Sequence, residues 1–499
     1  MKNILEYLEI TATTHPEKKA FIGANNELTF VKIFEGAKRI GSYIADKLKV
    51  VNKPIIVITE QNPDDITAMM GVVYSGNFYV PVDADTPSER LKTMVETISP
   101  VAVLLKSRNE HLRALLDGNV ELILFENAIS AEINDVQLDR IRKDMTENDP
   151  LFAIFTSGST GVPKCIVKSH RAMMSFIDTF TELFGINEST VFGNQSPFYF
   201  DASTKDIYST LKCAAQTVII PKPYFMFPSQ AIKLMNDMQI NTIVWVPSVM
   251  GTVSIFNVFE EITPEHLKKV FFVGEVMPVK HLNYWIKHLP EVSFVNLYGT
   301  TEAAGNCLYY EINTDTDVIT PIPLGKTFPN TKVFLLNDKN EIDDYGEICI
   351  SGPTIALGYY KKPDTQERFC QNPTNSSYYE RICRTGDYAR IRNDGLLEFV
   401  SRADFQIKHM GNRIELGDIE SAALEIDNVS SCCCVYVKDK DTIVLFFTSD
   451  LLDRKQLKRL LKEKLPTYML PNKVIQLDQL PSNANGKIDR KALLDNATN

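Results

Sequence analysis

The feature that most constrains the fold is an alternation, over the first three quarters of the chain, of short apolar runs with amphipathic stretches. The runs have the length of buried strands, and most of the stretches between them are long enough for a helix. This alternation predicts an α/β architecture with mostly parallel sheets. The predicted strands are Ile55–Ile58, Val101–Leu105, Leu122–Phe125, Leu151–Phe155, Thr217–Ile220, Thr242–Val246 and Val270–Val273.

The pattern changes past about Ser401, where shorter elements of both types follow one another. They predict a small, separate α+β domain of about a hundred residues. We therefore expect a large N-terminal body of two similar-sized lobes, residues 1–402, and a C-terminal domain, residues 403–499. The elements predicted for this domain are helices at Leu416–Glu425 and Arg454–Leu465 and strands at Ser431–Val437, Thr442–Phe447 and Lys473–Leu477.

Charge and composition exclude several functional classes. The 499 residues carry 63 Asp and Glu against 53 Lys and Arg, a net charge of −10, which argues against a chain that mainly neutralises nucleic-acid phosphates. Glu6 and Glu9 interrupt the N-terminal segment where a signal peptide would be apolar, and no apolar stretch has the length of a membrane span. Nine cysteines without a C-x-x-C pair indicate reduced thiols. We expect a soluble cytoplasmic protein that binds no nucleic acid and does not insert into a membrane.

The strongest chemical signal is the segment Phe155–Lys164, FTSGSTGVPK, directly after a predicted strand. Glycines and small hydroxyl residues in this position expose backbone N–H groups and hydroxyls that can surround a polyphosphate, and Lys164 adds positive charge. The segment departs from the P-loop pattern because Cys165, and not Ser or Thr, follows the lysine. By itself it is equally consistent with a flexible Ser/Gly turn.

Further motifs in order along the chain decide between these interpretations. With the Ser/Gly loop, they resemble the motifs of the adenylate-forming superfamily, which includes acyl-CoA synthetases, luciferases and nonribosomal-peptide adenylation domains. One match would be weak, but a series from about residue 79 to 490 is specific. The motifs are YVPVDADTPSER (Tyr79–Arg90), FYFDAS (Phe198–Ser203), YGTTEAA (Tyr298–Ala304), GEICISGPTIALGYY (Gly346–Tyr360), RTGD (Arg384–Asp387), SRADFQIKHMGNRIELGDIE (Ser401–Glu420) and NGKIDR (Asn485–Arg490).

The resemblance implies ATP and Mg²⁺ as cofactors and assigns roles to individual residues. Lys487 matches the lysine that contacts the carboxylate and the α-phosphate, Glu302 the magnesium ligand, and Arg402 a residue near the ribose and phosphates. Tyr298 is expected to stack on adenine, and Asp387 to accept both ribose hydroxyls. The implied ATP-binding set is Thr156, Ser157, Gly158, Ser159, Thr160, Gly161, Lys164, Gly274, Glu275, Tyr298, Gly299, Thr301 and Asp387.

The resemblance also implies an amino-acid substrate, because Asp201 matches the aspartate that pairs with a substrate ammonium. An ammonium in an apolar pocket needs such a partner. Lys205 has two interpretations: it meets an acidic or polar substrate side chain, or it pairs with Asp206 outside the pocket. Bulky apolar residues in the implied pocket favour a small or medium side chain. The implied pocket residues are Asp201, Ala202, Lys205, Val244, Phe271, Val273, Leu297, Gly305 and Asn306.

The expected reaction has two halves, between which the C-terminal domain rotates about a hinge at Asp404. An amino acid is activated as aminoacyl-AMP and then transferred to the phosphopantetheine thiol of a carrier protein. The chain contains no GG[HD]S-type serine, so we expect the carrier to be a separate molecule. Two alternatives remain open: an acyl- or aryl-acid ligase that uses coenzyme A, and a non-catalytic nucleotide-binding sensor or interaction protein.

Overall fold

The computed structural model describes residues 2–156, 163–314, 321–361, 368–402, 406–481 and 488–498. The chain divides into two compact units by its internal contacts. The larger unit comprises Met1–Ala84, Pro100–Ile154 and Cys165–Ala403, and the smaller comprises Asp85–Ser99, Phe155–Lys164 and Asp404–Asn499. No helix in these described ranges is long and apolar enough to cross a membrane.

The strands are short, as the apolar runs predict. In chain order they are β1 (Lys19–Ile22), β2 (Glu27–Thr29), β3 (Pro54–Thr59), β4 (Phe78–Asp83), β5 (Ala102–Leu105), β6 (Glu121–Leu124), β7 (Pro150–Thr156), β8 (Lys164–Ser169), β9 (Val191–Asn194), β10 (Gln216–Ile219), β11 (Thr242–Trp245), β12 (Lys269–Val273), β13 (Ser293–Tyr298), β14 (Leu308–Glu311), β15 (Lys326–Thr327), β16 (Lys332–Leu336), β17 (Tyr345–Ser351), β18 (Gly358–Tyr359), β19 (Phe369–Gln371), β20 (Arg381–Ile391), β21 (Leu397–Arg402), β22 (Gln406–His409), β23 (Asn412–Glu415), β24 (Ser431–Val437), β25 (Thr442–Thr448) and β26 (Lys473–Gln476).

Helices connect most of the parallel strands. In chain order they are α1 (Leu5–Thr14), α2 (Phe30–Leu48), α3 (Pro63–Tyr74), α4 (Ser88–Ile98), α5 (Glu110–Leu116), α6 (Phe125–Ile129), α7 (Asp135–Asp144), α8 (His170–Leu183), α9 (Thr204–Cys213), α10 (Pro228–Asp237), α11 (Pro247–Ile255), α12 (Val279–His288), α13 (Leu416–Leu424), α14 (Arg454–Lys464) and α15 (Arg490–Thr498).

Two large sheets and one smaller sheet make up the larger unit. The first has the order β15-β14-β13-β12-β11-β9-β10-β1-β2, and its pairs from β13 to β1 are parallel. The second has the order β18-β8-β7-β4-β3-β5-β6, with parallel pairs from β7 to β6. The third is antiparallel and contains β16, β17, β19, β20 and β21. The α/β architecture predicted from the alternation is confirmed.

The parallel strands explain why the apolar runs are continuous and not alternating. Every residue of β3 is buried, because helices cover both faces of such a sheet. Successive side chains of a strand point to opposite faces of the sheet. Phe271 and Val273 of β12 therefore belong to one core cluster, whereas Val270 and Phe272 belong to another. The first face is the one on which the implied substrate pocket lies.

In the smaller unit, β24 and β25 are antiparallel, and β26 adds in parallel to β25. The bounds of β24 are those predicted, and the other elements of residues 416–477 agree with the predicted ones within one residue at each end. Three predicted strands of the larger unit end one residue early: β10 ends at Ile219, β11 ends at Trp245, and β6 ends at Leu124 because Phe125 begins α6. The nine cysteines, all in described residues, are free.

Candidate functional site

The Ser/Gly loop joins two adjacent strands of the second sheet. Its predicted flanking residues end β7 at Thr156 and begin β8 at Lys164. The Thr156 hydroxyl donates a hydrogen bond to the Lys164 carbonyl, at 3.4 Å. Ser157, Gly158, Ser159, Thr160 and Gly161, predicted to surround the phosphates, lie outside the described residues, as do Asp404 and Lys487. Their roles stay predictions.

A second group of predicted residues meets around the carboxylate of Asp387. The register of β20 and β21 places Asp387 opposite Arg402, and the Arg402 guanidinium pairs with Asp387 Oδ1. Tyr298, the last residue of β13, donates its hydroxyl to Asp387 Oδ2 at 2.6 Å. Asp387 is buried, with 1% of its surface exposed. The burial of Tyr298 and the negative charge of Asp387 both raise the pKa of the Tyr298 hydroxyl. Each carboxylate oxygen has two lone pairs, so these contacts leave acceptor capacity for ribose hydroxyls.

Glu302 is completely buried and its charge is compensated locally. Its Oε1 accepts a hydrogen bond from the Tyr359 hydroxyl at 2.9 Å and lies 3.7 Å from the Arg368 guanidinium, while its Oε2 accepts from the Thr300 hydroxyl. The backbone carbonyl of Glu302 also accepts from Ala356, which fixes this turn against β18. One carboxylate beside a hydroxyl is a donor set that suits Mg²⁺ when phosphate oxygens and water complete the coordination.

Two arginines converge at Gly386, the third residue of the RTGD motif. Gly386 has φ +75°, and a Cβ placed there would lie 3.3 Å from the Arg368 guanidinium and 3.4 Å from that of Arg402. The Arg368 guanidinium also donates to the Thr385 carbonyl at 2.6 Å. Sequence reasoning missed Arg368, because a single arginine ahead of a short strand has no periodic or motif signal. Two guanidinium groups beside the carboxylates of Glu302 and Asp387 are suited to bind phosphate oxygens.

The carboxyl ends of β12 and β13 provide the remaining predicted nucleotide residues. Val273 pairs with Leu297, so Gly274 and Tyr298 follow at the same edge of the parallel sheet, where ligands of such sheets bind. Gly274 has φ +102°, a backbone conformation that favours glycine. Glu275 accepts a hydrogen bond from the Ser248 N–H at 2.9 Å. Gly299 is tightly packed, because a Cβ there would lie 2.4 Å from the Gly305 carbonyl, and Thr301 lies in the same turn.

The predicted ammonium partner, Asp201, already has one cation beside it. Asp201 opens a short 3₁₀ turn before α9, and its Oδ2 lies 3.7 Å from the ammonium of Lys168. Lys168 is completely buried in β8 and donates to the Ala303 carbonyl at 2.8 Å. Asp201 Oδ1 is buried and has no hydrogen-bond partner among the described residues. Burial raises the pKa of Asp201, and the two nearby lysines oppose that effect.

Lys168 was also missed by sequence reasoning. It lies in β8, whose other residues are mostly buried, so a lysine within an apolar run was the available signal. Burial lowers the pKa of Lys168, whereas Asp201 and Glu302 raise it. Lys168 therefore joins two predicted groups: its ammonium lies beside Asp201 and is bonded to the residue after Glu302.

The apolar pocket residues lie on one sheet face, as their strand register requires. Val244 pairs with Phe271 across β11 and β12, and Val273 pairs with Leu297 across β12 and β13. All four are buried in one cluster, and the ring of Phe271 lies 5.3 Å from that of Phe180 in α8. The turn after β13 closes on the same helix.

That turn contains Gly305 and Asn306. A Cβ on Gly305 would lie 2.3 Å from the ring of Phe176, so only glycine lets the turn approach α8 this closely. Asn306 Oδ1 is buried without a hydrogen-bond partner in the described part of the chain. Ala202 lies in the 3₁₀ turn next to Asp201. The implied pocket residues thus include four buried apolar side chains and two unsatisfied oxygens, Asp201 Oδ1 and Asn306 Oδ1.

Lys205 does not pair with Asp206, which was one of its two predicted interpretations. Lys205 is buried, with 2% of its surface exposed, and it makes no ion pair or hydrogen bond with any described residue. Asp206 instead accepts a hydrogen bond from the Asn194 amide at 2.8 Å, and burial raises the pKa of Asp206 to about 7.

The described residues contain no cluster of three or more His, Cys, Asp or Glu that could hold a metal without a ligand's help.

Comparisons with known proteins show the family of this chain. The AMP-binding enzyme family matches residues 8–360, and the AMP-binding enzyme C-terminal domain matches residues 418–487. Bacitracin synthase 3 of Bacillus licheniformis is 28% identical over 99% of this chain, which spans only 8% of that protein's length. The D-alanine–D-alanyl carrier protein ligase of Lacticaseibacillus rhamnosus is also 28% identical, over 99% of this chain and 98% of the relative.

A solved structure shows the same fold over almost the whole chain. Holo-PA1221, a nonribosomal peptide synthetase protein with adenylation and PCP domains bound to a vinylsulfonamide inhibitor, matches with a TM-score of 0.84 and 21% identity, over 99% of this chain and 84% of that one. The family match covers well over half of the chain and includes Asp201, Lys168, Tyr298 and Glu302, whereas Arg368, Asp387 and Arg402 lie between the two matched ranges. The chain therefore belongs to the AMP-binding enzyme family, the adenylate-forming enzymes that its motifs resemble.

Proposed function

We propose that this protein activates an amino acid as aminoacyl-AMP and transfers it to the phosphopantetheine thiol of a separate carrier protein. The observation that carries the proposal is Asp201, a carboxylate whose side chain is 17% exposed and which has one buried oxygen without a hydrogen-bond partner among the described residues. A substrate ammonium would satisfy Asp201 Oδ1, which otherwise remains desolvated without a hydrogen bond. The likeness to carrier protein ligases supports the same class of substrate.

In the first half-reaction, an oxygen of the amino-acid carboxylate bonds to the α-phosphorus of ATP, and the bond to pyrophosphate breaks. Asp387 and Tyr298 would hold the ribose, while Arg402 and Arg368 would face the phosphates. Glu302 would hold Mg²⁺, which when bound neutralises phosphate charge. Lys487 would contact the reacting carboxylate and the α-phosphate, where negative charge accumulates in the transition state. Thr156 to Gly161, with Lys164, would enclose the outer phosphates.

In the second half-reaction, the carrier thiolate bonds to the acyl carbon, and the bond to the phosphate oxygen of AMP breaks. We propose residues 403–499 as the mobile domain and Asp404 as its hinge, because one domain orientation cannot place Lys487 on the phosphates and also admit the thiol. The product is an aminoacyl thioester on the carrier and free AMP. Coenzyme A would replace the carrier in the alternative acyl- or aryl-acid ligase.

ATP–pyrophosphate exchange across a substrate panel tests the proposal. The panel contains proteinogenic, D- and β-amino acids together with benzoates and fatty acids. We expect exchange with one or a few amino acids, and we expect Asp201→Asn to lower kcat/KM for them at least tenfold, because a charged hydrogen bond becomes neutral. Asp237→Asn is the matched control, since Asp237 is an exposed carboxylate paired with Lys233.

Each result that contradicts the proposal points to a different function. Exchange with aryl or fatty acids alone, unaffected by Asp201→Asn, would favour the coenzyme A ligase. Absence of exchange with every acid, at saturating ATP and Mg²⁺, would favour a non-catalytic nucleotide-binding protein. Transfer is tested with the preferred amino acid and a phosphopantetheinylated D-alanyl carrier protein, and with coenzyme A as the competing acceptor. Thioester formation on coenzyme A but not on the carrier would contradict the proposed second half-reaction.

A further inference from the structure

Lys205 is a buried cation that makes no ion pair or hydrogen bond with a described residue, and the carboxylates of Asp201 and Asp206 act on its charge only from beyond ion-pair distance. It belongs to the first turn of α9, four residues after Asp201, and helical residues at this spacing lie on the same face. Such a pair ordinarily forms an ion pair, yet Lys205 makes none with Asp201 or with the adjacent Asp206. In the described residues its ammonium also has no hydrogen-bond acceptor. A buried ammonium without a partner is unfavourable, so a ligand group is the partner to seek.

The position of the Lys205 ammonium places it in the implied substrate pocket. Its Nζ lies 5.8 Å from the centroid of the Phe176 ring. That ring packs directly on Gly305, next to the unsatisfied Oδ1 of Asn306. Lys205 is therefore near the same turn and the same helix that border the apolar face. It is separated from Asp201 by more than ion-pair distance, which leaves the two charges available to two different groups of one ligand.

The balance of buried charge indicates what such a ligand carries. Lys168 and Lys205 are both buried cations whose charges act on Asp201, while the nearby buried carboxylate of Glu302 is offset by Arg368. Asp206 offsets them only partly at neutral pH, because burial raises its pKa to about 7. A neutral amino acid is a zwitterion, whose ammonium comes with an α-carboxylate, so it adds no net charge to this group. An amino acid with an anionic side chain adds a net negative charge, and so brings the buried charges closer to balance.

We propose that the amino acid carries a short acidic side chain whose carboxylate is bound by Lys205, while its ammonium is bound by Asp201 Oδ1. This inference rests on the proposed amino-acid activation and names the substrate class of that site. Phe271 and Leu297 belong to the same buried cluster as Phe176, and these bulky residues favour a side chain as short as that of aspartate or glutamate. Lys168 has a different role from Lys205, since it already bonds to Ala303 and Asp201.

Pyrophosphate exchange with matched acid and amide substrates tests the inference. Kcat/KM is measured for both enantiomers of aspartate and glutamate, for asparagine and glutamine as their neutral isosteres, and for alanine. We expect the wild-type protein to prefer an acid over its amide at least tenfold. Lys205→Met removes the charge but keeps most of the length, and we expect it to reduce the acid-to-amide ratio roughly 10- to 150-fold. Lys233→Met, on an exposed face of α10, should leave the ratio unchanged.

The variant should fold, because it replaces a buried ammonium that has no hydrogen bond or ion pair with an apolar side chain of similar length, and an unchanged or higher unfolding temperature for Lys205→Met would support this. The wild-type preference is an independent test that needs no variant. Better exchange with alanine, asparagine or glutamine than with either acid would overturn the inference and leave amino-acid activation intact. An acid-to-amide ratio that Lys205→Met does not change would also overturn it. Exchange with no amino acid at all would overturn both proposals.

Discussion

The ion pair between Lys168 and Asp201 gives a quantitative prediction for the stability of the larger unit. Lys168 is completely buried, and its ammonium lies 3.7 Å from Asp201 Oδ2 and 2.8 Å from the Ala303 carbonyl. At an effective dielectric constant of about 20, unit charges at this separation attract by about 4.5 kcal/mol. Lys168→Met removes this attraction and leaves Asp201 as a buried carboxylate without its nearest cation. Breaking a buried pair in this way costs about 3–5 kcal/mol.

We expect Lys168→Met to lower the free energy of unfolding by about 3 kcal/mol, near the lower end of this range. The cost is limited because the Asp201 side chain keeps 17% of its surface exposed and Lys205 also stabilises its charge. Urea unfolding followed by tryptophan fluorescence measures it, since the chain's two tryptophans, Trp245 and Trp285, are both buried in the larger unit. Lys233→Met, at an exposed helix position, should change the free energy of unfolding by less than about 0.5 kcal/mol.

A double-mutant cycle separates the pair from the loss of packing. Asp201→Asn removes the other charge, so the double variant should be more stable than the sum of the single changes predicts, by about 1–3 kcal/mol. If Lys168→Met unfolds at the wild-type urea concentration, or if the two changes are additive, then the ion pair does not hold this part of the site together and the reasoning fails.

Three further predictions concern the nucleotide site and pH dependence. Tyr298→Phe removes the 2.6 Å hydrogen bond to Asp387 and should lower stability by about 1–2 kcal/mol in urea unfolding; an unchanged midpoint would contradict this. Glu302→Gln should lower the exchange rate on the order of 10²-fold and shift its Mg²⁺ dependence to higher concentration; an unchanged Mg²⁺ titration would contradict the metal role. The folded pKa of Asp206, about 7, exceeds its unfolded value, so its carboxylate costs stability as pH rises. Asp206→Asn should therefore match the wild type near pH 4 and exceed its stability by up to roughly 4 kcal/mol at pH 8; a pH-independent difference would contradict this.

The helices and strands were predictable because buried elements have a characteristic spacing of apolar residues in the sequence. β24 has the predicted bounds, and the strand predicted at Val270–Val273 differs from β12 by one residue. Short apolar runs separated by helix-length stretches have few other stable arrangements. The end of β6 was misplaced by one residue because Phe125 is apolar in either a strand or a helix.

The site was predictable only where a local motif marks it. Tyr298 and Asp387 belong to different motifs, and the sequence did not reveal their hydrogen bond, which depends on how two sheets pack. Arg368 and Lys168 were missed because their roles arise from residues far apart in the chain: Arg368 approaches Glu302, and Lys168 approaches Asp201. The sequence also left both interpretations of Lys205 open. The absence of an ion pair with Asp206 in the described residues favours the pocket.

The central claim is that this protein joins a carboxylate to the α-phosphate of ATP. The most direct measurement uses the amino acid that supports exchange, labelled with ¹⁸O in both carboxylate oxygens, and mass spectrometry of the AMP released after hydroxylamine trapping. Carboxylate attack on the α-phosphorus, followed by cleavage at the acyl carbon, leaves one ¹⁸O in AMP, and this is the predicted result. Unlabelled AMP, or ADP as the nucleotide product, would contradict the account.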